Sequence, residues 1–571
     1  MHNLSRHIFF FTLIALCMTA CDQISGSSFT ATGTCPTPQK ITAIYKEFVY
    51  DLSGYQNSGG GSPFNLFDEN SFFDPKNGIT GFAETSPHPR RNAEIYFPSG
   101  KGSRIVADLR VRYKLNEIYL YDRANVVDTV WIYTGDMSNW KLKSAYATKG
   151  ETSAWGWKKI TIDDTTQFVQ FRFNSSLANV TEVVMYGCAL QQLPPLPSAT
   201  HTGERLPRKT LKDFLGVNMY NELPLEWMEP FKWVRMYATG DLFDADTINA
   251  LPNTKINISR LGYLYLGQFF RHYSDDLATV NKKMWYSLRG VPLWMKIRGY
   301  GDKDRPVTQL GMDTEDPMSY GRHAYTMWTM AAVFGKTPVD SNLLNLADMI
   351  RITGKGTMTD FENGNEEDAW WVGNKYCSPL EYFAQSSADY DGHMGRLGNR
   401  YGVATADSNS RLIMSGTVGL DTNRVRVLDF LCRTLRPDKK FLWQGGIQYH
   451  HYSNDVKSSI APNRWQAAKR GITPEEDSLR QRLAKVRKFT YRVQPGVECI
   501  LGEYGYDKNQ KSEQSTPIVP GYTPAQSQGI MLVRSINAVA FSGFDRLILY
   551  WMKDQQPESD PYIYLTSGIV Y

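Results

Sequence analysis

Between Asp360 and Trp371 the chain reads DFENGNEEDAWW, an acidic cluster in which Asn365 directly precedes Glu366 and two tryptophans follow. Far downstream, Glu498 to Asp507 reads ECILGEYGYD. There the short apolar run Cys499-Ile500-Leu501 delivers Glu503 at its C-terminal end, with Tyr504 and Tyr506 close behind. Both carboxylates follow strand-like runs and both have aromatic neighbours. Such a pair suits cleavage of a glycosidic bond, one carboxylic acid protonating the leaving oxygen while the other attacks or stabilises the cationic sugar carbon. Taken alone, DFENGNEED also fits a solvated acidic turn, and GEYG fits a strand followed by a turn. Their joint placement is what favours a site.

The elements that would position these residues fall into two regions. At 571 residues the chain is too long for one ordinary domain. Hydrophobic residues make up 42% and charged residues 21%, which fits a folded, soluble protein, and a net charge of +5 with no Lys/Arg run argues against a nucleic-acid partner. Aromatic residues reach 13%; such rings stack on sugar faces but also fill cores.

From about Ile41 to Gly187 the periodicity is two. Ile105, Ala107, Leu109 and Val111 alternate with polar residues, and Glu117–Tyr121, Thr129–Tyr133, Phe168–Phe173 and Glu182–Tyr186 are strand-like. Clusters of Gly, Asn and Asp separate them, which predicts an antiparallel β-sandwich over residues 41–190. Tyr55, Phe64 and Phe67 fall on its loops, where they could touch a glycan or pack against the sheet. The Pro-rich stretch 191–209 reads as a linker.

Beyond it, over residues 210–571, strand-like runs alternate with helical ones. The expected strands are Phe214–Tyr220, Trp233–Tyr237, Pro292–Ile297, Met358–Glu362, Leu412–Ser415, Gly446–Tyr452, Glu498–Glu503 and Arg546–Trp551. Asp316-Pro317 starts a helix in which Ala324, Met327, Trp328, Ala331 and Ala332 share a face. Eight strands with intervening helices predict a (β/α)8 barrel with its site at the C-terminal strand ends. Residues after Trp551 show no helical period, so either the chain is a fragment or the barrel closes unusually.

At the N-terminus, His2, Arg6 and His7 precede an apolar run from Ile8 to Leu16, too short to span a membrane stably. Residues 1–20 therefore read as a secretory signal. Met18-Thr19-Ala20-Cys21 resembles a bacterial lipobox, which implies a lipidated Cys21, a tether over residues 21–40, and residence in the cell envelope; cleavage elsewhere as an ordinary signal is the alternative. Cys35 and Cys188 bracket the first region and are expected to pair, an exported protein permitting a bridge. Cys377, Cys432 and Cys499 are expected as buried thiols, and no Cys/His spacing suggests zinc.

The runs ADLRVRYKLNEIYLYD, DTVWIYTG, QFVQFRFN and EVVMYGC resemble the discoidin, or factor V/VIII C-type, galactose-binding-like fold. That implies a carbohydrate-binding or spacer module. A glutamate preceded by Asn after the fourth strand, with a second ending the seventh, resembles clan A glycoside hydrolases over about Leu211 to Trp551. These are retaining enzymes on a (β/α)8 barrel. The resemblance implies Glu366 as general acid/base, Glu503 as nucleophile, and Asn365 as the partner of the sugar 2-hydroxyl. His450-His451-Tyr452 is similar to the clan's His-x-Tyr, which implies that His450 faces substrate and Tyr452 the nucleophile, with His451 structural. Arg235 matches an arginine that keeps the nucleophile ionised, although it could simply pair with a core carboxylate. Trp551 matches the tryptophan floor of the sugar site, and Trp371 fits a sugar platform. The run ENGNE before Trp370-Trp371 most resembles the branch holding β-agarases, β-porphyranases and β-xylosidases.

One departure is Glu367 where many members have Pro, which leaves the choice between Glu366 and Glu367 open and Glu366 favoured. Asp407, Asp421 and Asp455 read as plain surface charge. The expectation is an exported, lipid-anchored hydrolase of β-linked polysaccharides or oligosaccharides that needs no metal or organic cofactor. Its rival is a glycan-binding surface lipoprotein whose barrel has lost activity.

Overall fold

The computed structural model describes residues 34–54, 63–67, 103–151, 153, 156–174, 180–197, 206–207, 209–220, 222–239, 263–266, 269–291, 305–309, 311–345, 351–369, 376–456, 468–557 and 564–570. Cys21, Tyr55, Trp370, Trp371 and the expected strand Pro292–Ile297 lie outside them. The chain divides into two compact units, Met1–Asp51 with Gly60–Leu196, and Leu52–Gly59 with Pro197–Tyr571.

The first unit is antiparallel throughout. It comprises β1 (Gln39–Lys40), β2 (Val49–Asp51), β3 (Ser103–Asp122), β4 (Thr129–Asp136), β5 (Asn139–Ala147), β6 (Gly156–Phe173) and β7 (Val180–Ala189). Their order is β1-β7-β3-β6-β4-β5, with β2 also on β3. Ile105, Ala107, Leu109 and Val111 are all buried, so the period-two reading corresponds to a core face. The register of β3 against β6 shifts between Asp108 and Tyr113, where Arg110 takes a left-handed φ of +69°. Phe67 is buried and meets Phe171 edge to face. Cys35 and Cys188 form a disulfide with Cα atoms 5.6 Å apart.

The second unit is built on a parallel sheet. Its strands are β8 (Leu215–Met219) and β9 (Trp233–Thr239), then, after a separate hairpin of β10 (Tyr263–Leu266) and β11 (Phe269–His272), β12 (Lys283–Arg289), β13 (Asp360–Glu362), β14 (Arg411–Ile413), β15 (Thr417–Val418), β16 (Ile447–His450), β17 (Cys499–Tyr504) and β18 (Arg546–Leu549). The order is β14-β13-β12-β9-β8-β18-β17-β16-β15. Its two ends, β14 and β15, come from one stretch of chain, and Ile413 also bridges in parallel to Gly446 just ahead of β16. Helices Gly321–Phe334, Pro379–Asp391, Thr422–Leu435, Leu479–Val493 and Pro524–Ser542 fall between successive strands from β12 to β18. Trp233, Trp285, Ile413, Ile500 and Ile548, each from a different strand, pack together as one buried cluster.

Local chemistry explains where these helices begin. Asp316 accepts a hydrogen bond from Met318 N and opens a 3-10 turn that runs into Gly321–Phe334. Ser378 with Glu381, and Thr523 with Gln526, form capping boxes, each followed by a proline that suits the first turn.

Two expectations need correction. The third strand is Lys283–Arg289, upstream of the one expected. KMWYSLR buries Met284, Trp285, Tyr286 and Leu288 and ends at Gly290 with φ +67°, whereas Pro292 could not donate to a central ladder. Asp407 and Asp421 are buried rather than surface charge. Asp421 caps the helix at Thr422, and Asp407 accepts from Lys336 N, Thr337, Asn409 and Ser410. Burial raises the Asp407 carboxyl, but these donors outweigh it and hold the group at about 2. Asp455 is exposed. Cys377, Cys432 and Cys499 are buried free thiols.

After β18 no helix appears among the described residues. Instead residues 564–570 return to the strand: Trp551 N donates to Ser567 O at 3.2 Å, and Ile569 N to Trp551 O at 3.2 Å.

Candidate active site

The site grows from single polar residues set into apolar strands. Arg235 lies in the middle of β9, fully buried, and its register neighbours are Asn218 on β8 and Trp285 on β12. A guanidinium there must be matched by acceptors. Its Nε and Nη2 clasp the Glu362 carboxylate at 2.7 and 2.8 Å, a two-pronged contact. Nη1 reaches Glu503 Oε1 at 3.0 Å and Asn218 Oδ1 at 2.9 Å, and Nη2 reaches Asn365 Oδ1 at 2.7 Å. Arg235 thus pairs with a core carboxylate and also touches Glu503. Glu362 is completed by Trp285 Nε1 at 3.0 Å and Gln448 Nε2 at 2.7 Å.

Glu503 ends up among donors. Tyr452 OH donates to its Oε2 at 2.9 Å, Tyr237 OH donates to Oε1, and Arg235 adds a third contact. An ionised carboxyl group is acceptor-only, and three convergent donors suit that state. Burial and Arg235 act oppositely on Tyr237, and burial prevails with Glu503 to hold its hydroxyl proton far above the ordinary range. Tyr452 is shifted the same way, by burial and then Glu503. Both therefore serve as donors.

Glu366 is placed differently. It sits on the loop after β13 with φ +54°, a left-handed conformation that costs a non-glycine residue about 1–3 kcal/mol. Its N–H donates to Gly416 O at 2.9 Å, which anchors the loop to the segment between β14 and β15. His450 Nδ1 lies 3.0 Å from Glu366 Oε1 and 3.5 Å from Glu503 Oε1, so one imidazole edge links the two carboxylates. Gly416 makes room for that ring: a Cβ there would stand 2.0 Å from His450 Nε2. Glu367 turns back, its Oε1 accepting from Asn365 N at 3.2 Å. Of the two adjacent glutamates, Glu366 is the one that meets His450.

Asp368, two residues on, accepts from Val418 N at 3.0 Å. Burial drives its carboxyl up to about 7, against the pull of Arg424. His451 pairs with Asp477 at 2.6 Å away from the carboxylates, in keeping with a structural role.

Trp551 joins through neighbours rather than by direct contact. Its peptide with Tyr550 is cis, and its ring is buried against Tyr220 (4.2 Å), Tyr550 (3.9 Å) and Tyr237 (5.2 Å). The aromatic ring exposed at this wall is Tyr220. The structure thus brings together Glu366, Glu503, Asn365, His450, Tyr452 and Arg235, with Trp551 behind Tyr237. Sequence reasoning passed over Glu362, Tyr237, Asn218, Ser287 and Gln448. The available signal was one polar residue inside each of the apolar runs GVNM, MWYSL and GIQY, with Tyr237 two places beyond Arg235.

Glu366, His450 and Glu503 each offer one atom, and these lie within 4.8 Å of one another, the spacing a divalent cation would need. The surroundings favour a different use. Glu503 already receives a guanidinium N–H and two hydroxyl protons, so a cation there would face Arg235 at close range.

No family model matches the chain. No curated protein matches it either. Solved structures that match include the CBM32 of AlyQ in complex with 4,5-unsaturated mannuronic acid, at 16% identity and a TM-score of 0.14, covering 15% of this chain and 73% of that one. Truncated AlyQ with CBM32 and alginate lyase domains matches at 15% identity and a TM-score of 0.14, over 16% of this chain and only 26% of its own length. The family 32 CBM from C. perfringens NanJ in complex with galactose matches at 14% identity and a TM-score of 0.17, over 26% of this chain and 99% of that one. Likenesses this thin carry no argument about what this chain does.

Proposed function

We propose that the parallel unit is a (β/α)8 barrel and a retaining glycoside hydrolase that cleaves β-glycosidic bonds of a polysaccharide or oligosaccharide. The observation that carries this reading is the approach of two differently dressed carboxylates. Oxygens of Glu366 and Glu503 lie within 4.8 Å, with His450 between them, at the C-terminal ends of parallel strands. Retaining enzymes hold their two carboxyl groups about 5–5.5 Å apart, whereas inverting ones leave about 6.5–9.5 Å for a water.

In this mechanism a Glu503 oxygen attacks the anomeric carbon as Glu366 gives its proton to the departing glycosidic oxygen, so the C–O bond breaks as the ester to Glu503 forms. Glu366, now a carboxylate, takes a proton from water, and the hydroxide releases the sugar from Glu503. The proton on Glu366 is then restored and the cycle closes. Asn365 has its carboxamide oxygen committed to Arg235, which leaves its NH2 as the end free to donate to a 2-hydroxyl. Arg235, Tyr237 and Tyr452 release Glu503 to the sugar and receive it back after hydrolysis. The proposal also includes export with a lipid on Cys21, and a glycan-binding or spacer role for the antiparallel unit.

The test is hydrolysis of a polysaccharide panel by wild type, Glu366→Gln and Glu503→Gln, with EDTA present in one arm. The expected result is release of reducing ends by wild type, unaffected by EDTA, and a fall of several orders of magnitude in both variants. Activity that survives Glu503→Gln, or that vanishes with EDTA and returns with a divalent ion, would overturn the mechanism. Retained glycan binding with no hydrolysis in any of the three proteins would favour the rival, a glycan-binding lipoprotein.

A further inference from the structure

Arg289 closes β12, and strand alternation puts it on the same face as Trp285 and Ser287. Those two residues already serve the site: Trp285 Nε1 donates to Glu362, and Ser287 Oγ accepts from Arg235 and donates to Gly364 O at 2.9 Å. Arg289 therefore stands at the outer end of a row of site residues. Its guanidinium carbon lies 4.8 Å from the Tyr237 ring and 6.0 Å from the Tyr220 ring, and Nη2 is 3.4 Å from Tyr220 OH. Tyr237 touches Glu503, and Tyr220 is the exposed aromatic packed against Trp551.

What distinguishes Arg289 is its lack of a counter-ion among the described residues. Arg235, one strand away, is matched by Glu362 and Glu503. Arg289 is only partly buried and has no carboxylate partner among the described residues; its contacts are the two tyrosines. The neighbouring site carries Glu362, Glu366 and Glu503 against one matched arginine, so a negatively charged sugar entering it would be repelled. A second guanidinium that faces no carboxylate among the described residues offsets that repulsion, and its fork matches the planar oxygens of a carboxylate or the tetrahedral oxygens of a sulfate.

We infer that the substrate is an acidic glycan, and that Arg289 binds an anionic substituent, sulfate ester or uronate carboxylate, on a sugar held against Tyr220. This rests on the hydrolase reading above and narrows it from glycans in general to charged ones.

The experiment compares wild type, Arg289→Gln and Arg289→Lys on neutral β-linked galacto-, xylo- and gluco-oligosaccharides, on sulfated galacto-oligosaccharides and on uronate-containing oligosaccharides. Hydrolysis is followed by reducing ends, and binding by calorimetry on Glu366→Gln with and without Arg289→Gln. The expected result is a wild-type preference for one charged class, whose identity separates sulfate from carboxylate. Arg289→Gln should lower kcat/KM on that class by about 10- to 100-fold, chiefly through KM, and leave neutral substrates within about threefold. Arg289→Lys should recover part of the loss, since it keeps the charge but not the fork. Raising NaCl should weaken wild type on the charged class and leave Arg289→Gln indifferent. Hydrolysis of neutral glycans with no charged preference, or equal losses on both, overturns the inference and leaves the hydrolase standing. Arg289-dependent binding of a charged glycan without any turnover overturns the hydrolase and leaves the anion site. Neither binding nor turnover of any member overturns both.

Discussion

In the antiparallel unit three ion pairs stay near water: Lys114–Asp163, Lys143–Asp164 and Lys159–Glu117 pair across strands with side chains 18–68% exposed. In the parallel unit, Arg235 and Glu362 meet at 0% exposure, and Glu503 joins them at 7%. The first arrangement is inexpensive and contributes little, because solvent screens both partners. The second removes three charges from water, and its desolvation is offset only because every guanidinium N–H finds an acceptor. The three pairs of the one unit stay within reach of solvent, whereas the linked set in the other is closed off from it.

The largest stability effect should nevertheless come from the antiparallel unit, through its covalent tie. Cys35 and Cys188 are 153 residues apart, so replacing both with Ser should cost that unit about 4–5 kcal/mol by loss of the chain constraint on its unfolded state. Urea unfolding read from the unit's own tryptophans would measure it, and a change below about 1 kcal/mol would show that the strands hold without the bridge.

Next comes Glu362→Gln. It leaves the buried Arg235 with one carboxylate fewer and should destabilise the parallel unit by about 3–5 kcal/mol while lowering activity at least as steeply as any substitution that does not touch sugar. If unfolding midpoints hardly move, Arg235 is not relying on Glu362 and the contrast between the units collapses.

A smaller effect is tied to pH. Folding raises the Asp368 carboxyl to about 7 from an ordinary value near 3.8, so the folded chain holds a proton that the unfolded chain has lost. Its contribution to stability is therefore fully present below about 4 and is lost as pH rises through about 7. Asp368→Asn should flatten the decline of Tm between pH 5 and 8. A parallel curve for the variant, merely offset, would contradict the assignment.

The smallest change belongs to Lys143→Met, whose loss of the partly exposed Asp164 pair should stay below about 1 kcal/mol. A loss as large as that of Glu362→Gln would mean that exposure does not set the value of these pairs.

Much of the fold could be read from the order of residues, and the reasons are local. The alternation at Ile105 to Val111, the helix start at Asp316-Pro317 and the apolar lead into Glu503 all act over a few residues. The third strand was misplaced because VPLWMKI is as apolar as KMWYSLR, and only the proline's missing N–H distinguishes them. Ser378-Pro379 and Thr523-Pro524 carry start signals that the sequence alone displays, three residues ahead of Glu381 and Gln526. In the site, Glu366 and Glu503 could be singled out by their neighbours in sequence. Glu362 could not, because it reads as one more acid in DFENGNEED and its meaning depends on Arg235, 127 residues upstream. Tyr220 and Arg289 escaped for a similar reason: what gives them a role is the packing of three strand ends, which no spacing rule encodes.

The bridge between Cys35 and Cys188 also has a mechanical meaning. These cysteines lie at the two ends of the antiparallel unit, ahead of β1 and within β7. Tension applied upstream of Cys35 passes through two sulfur atoms to Cys188 and onward down the chain, bypassing β1 to β6 and most of β7. Those strands carry no load while the bridge is closed. A pulling experiment under oxidising conditions should therefore show no extension of the intervening residues at forces that unravel the parallel unit, and the same pull after reduction should release the sheet strand by strand.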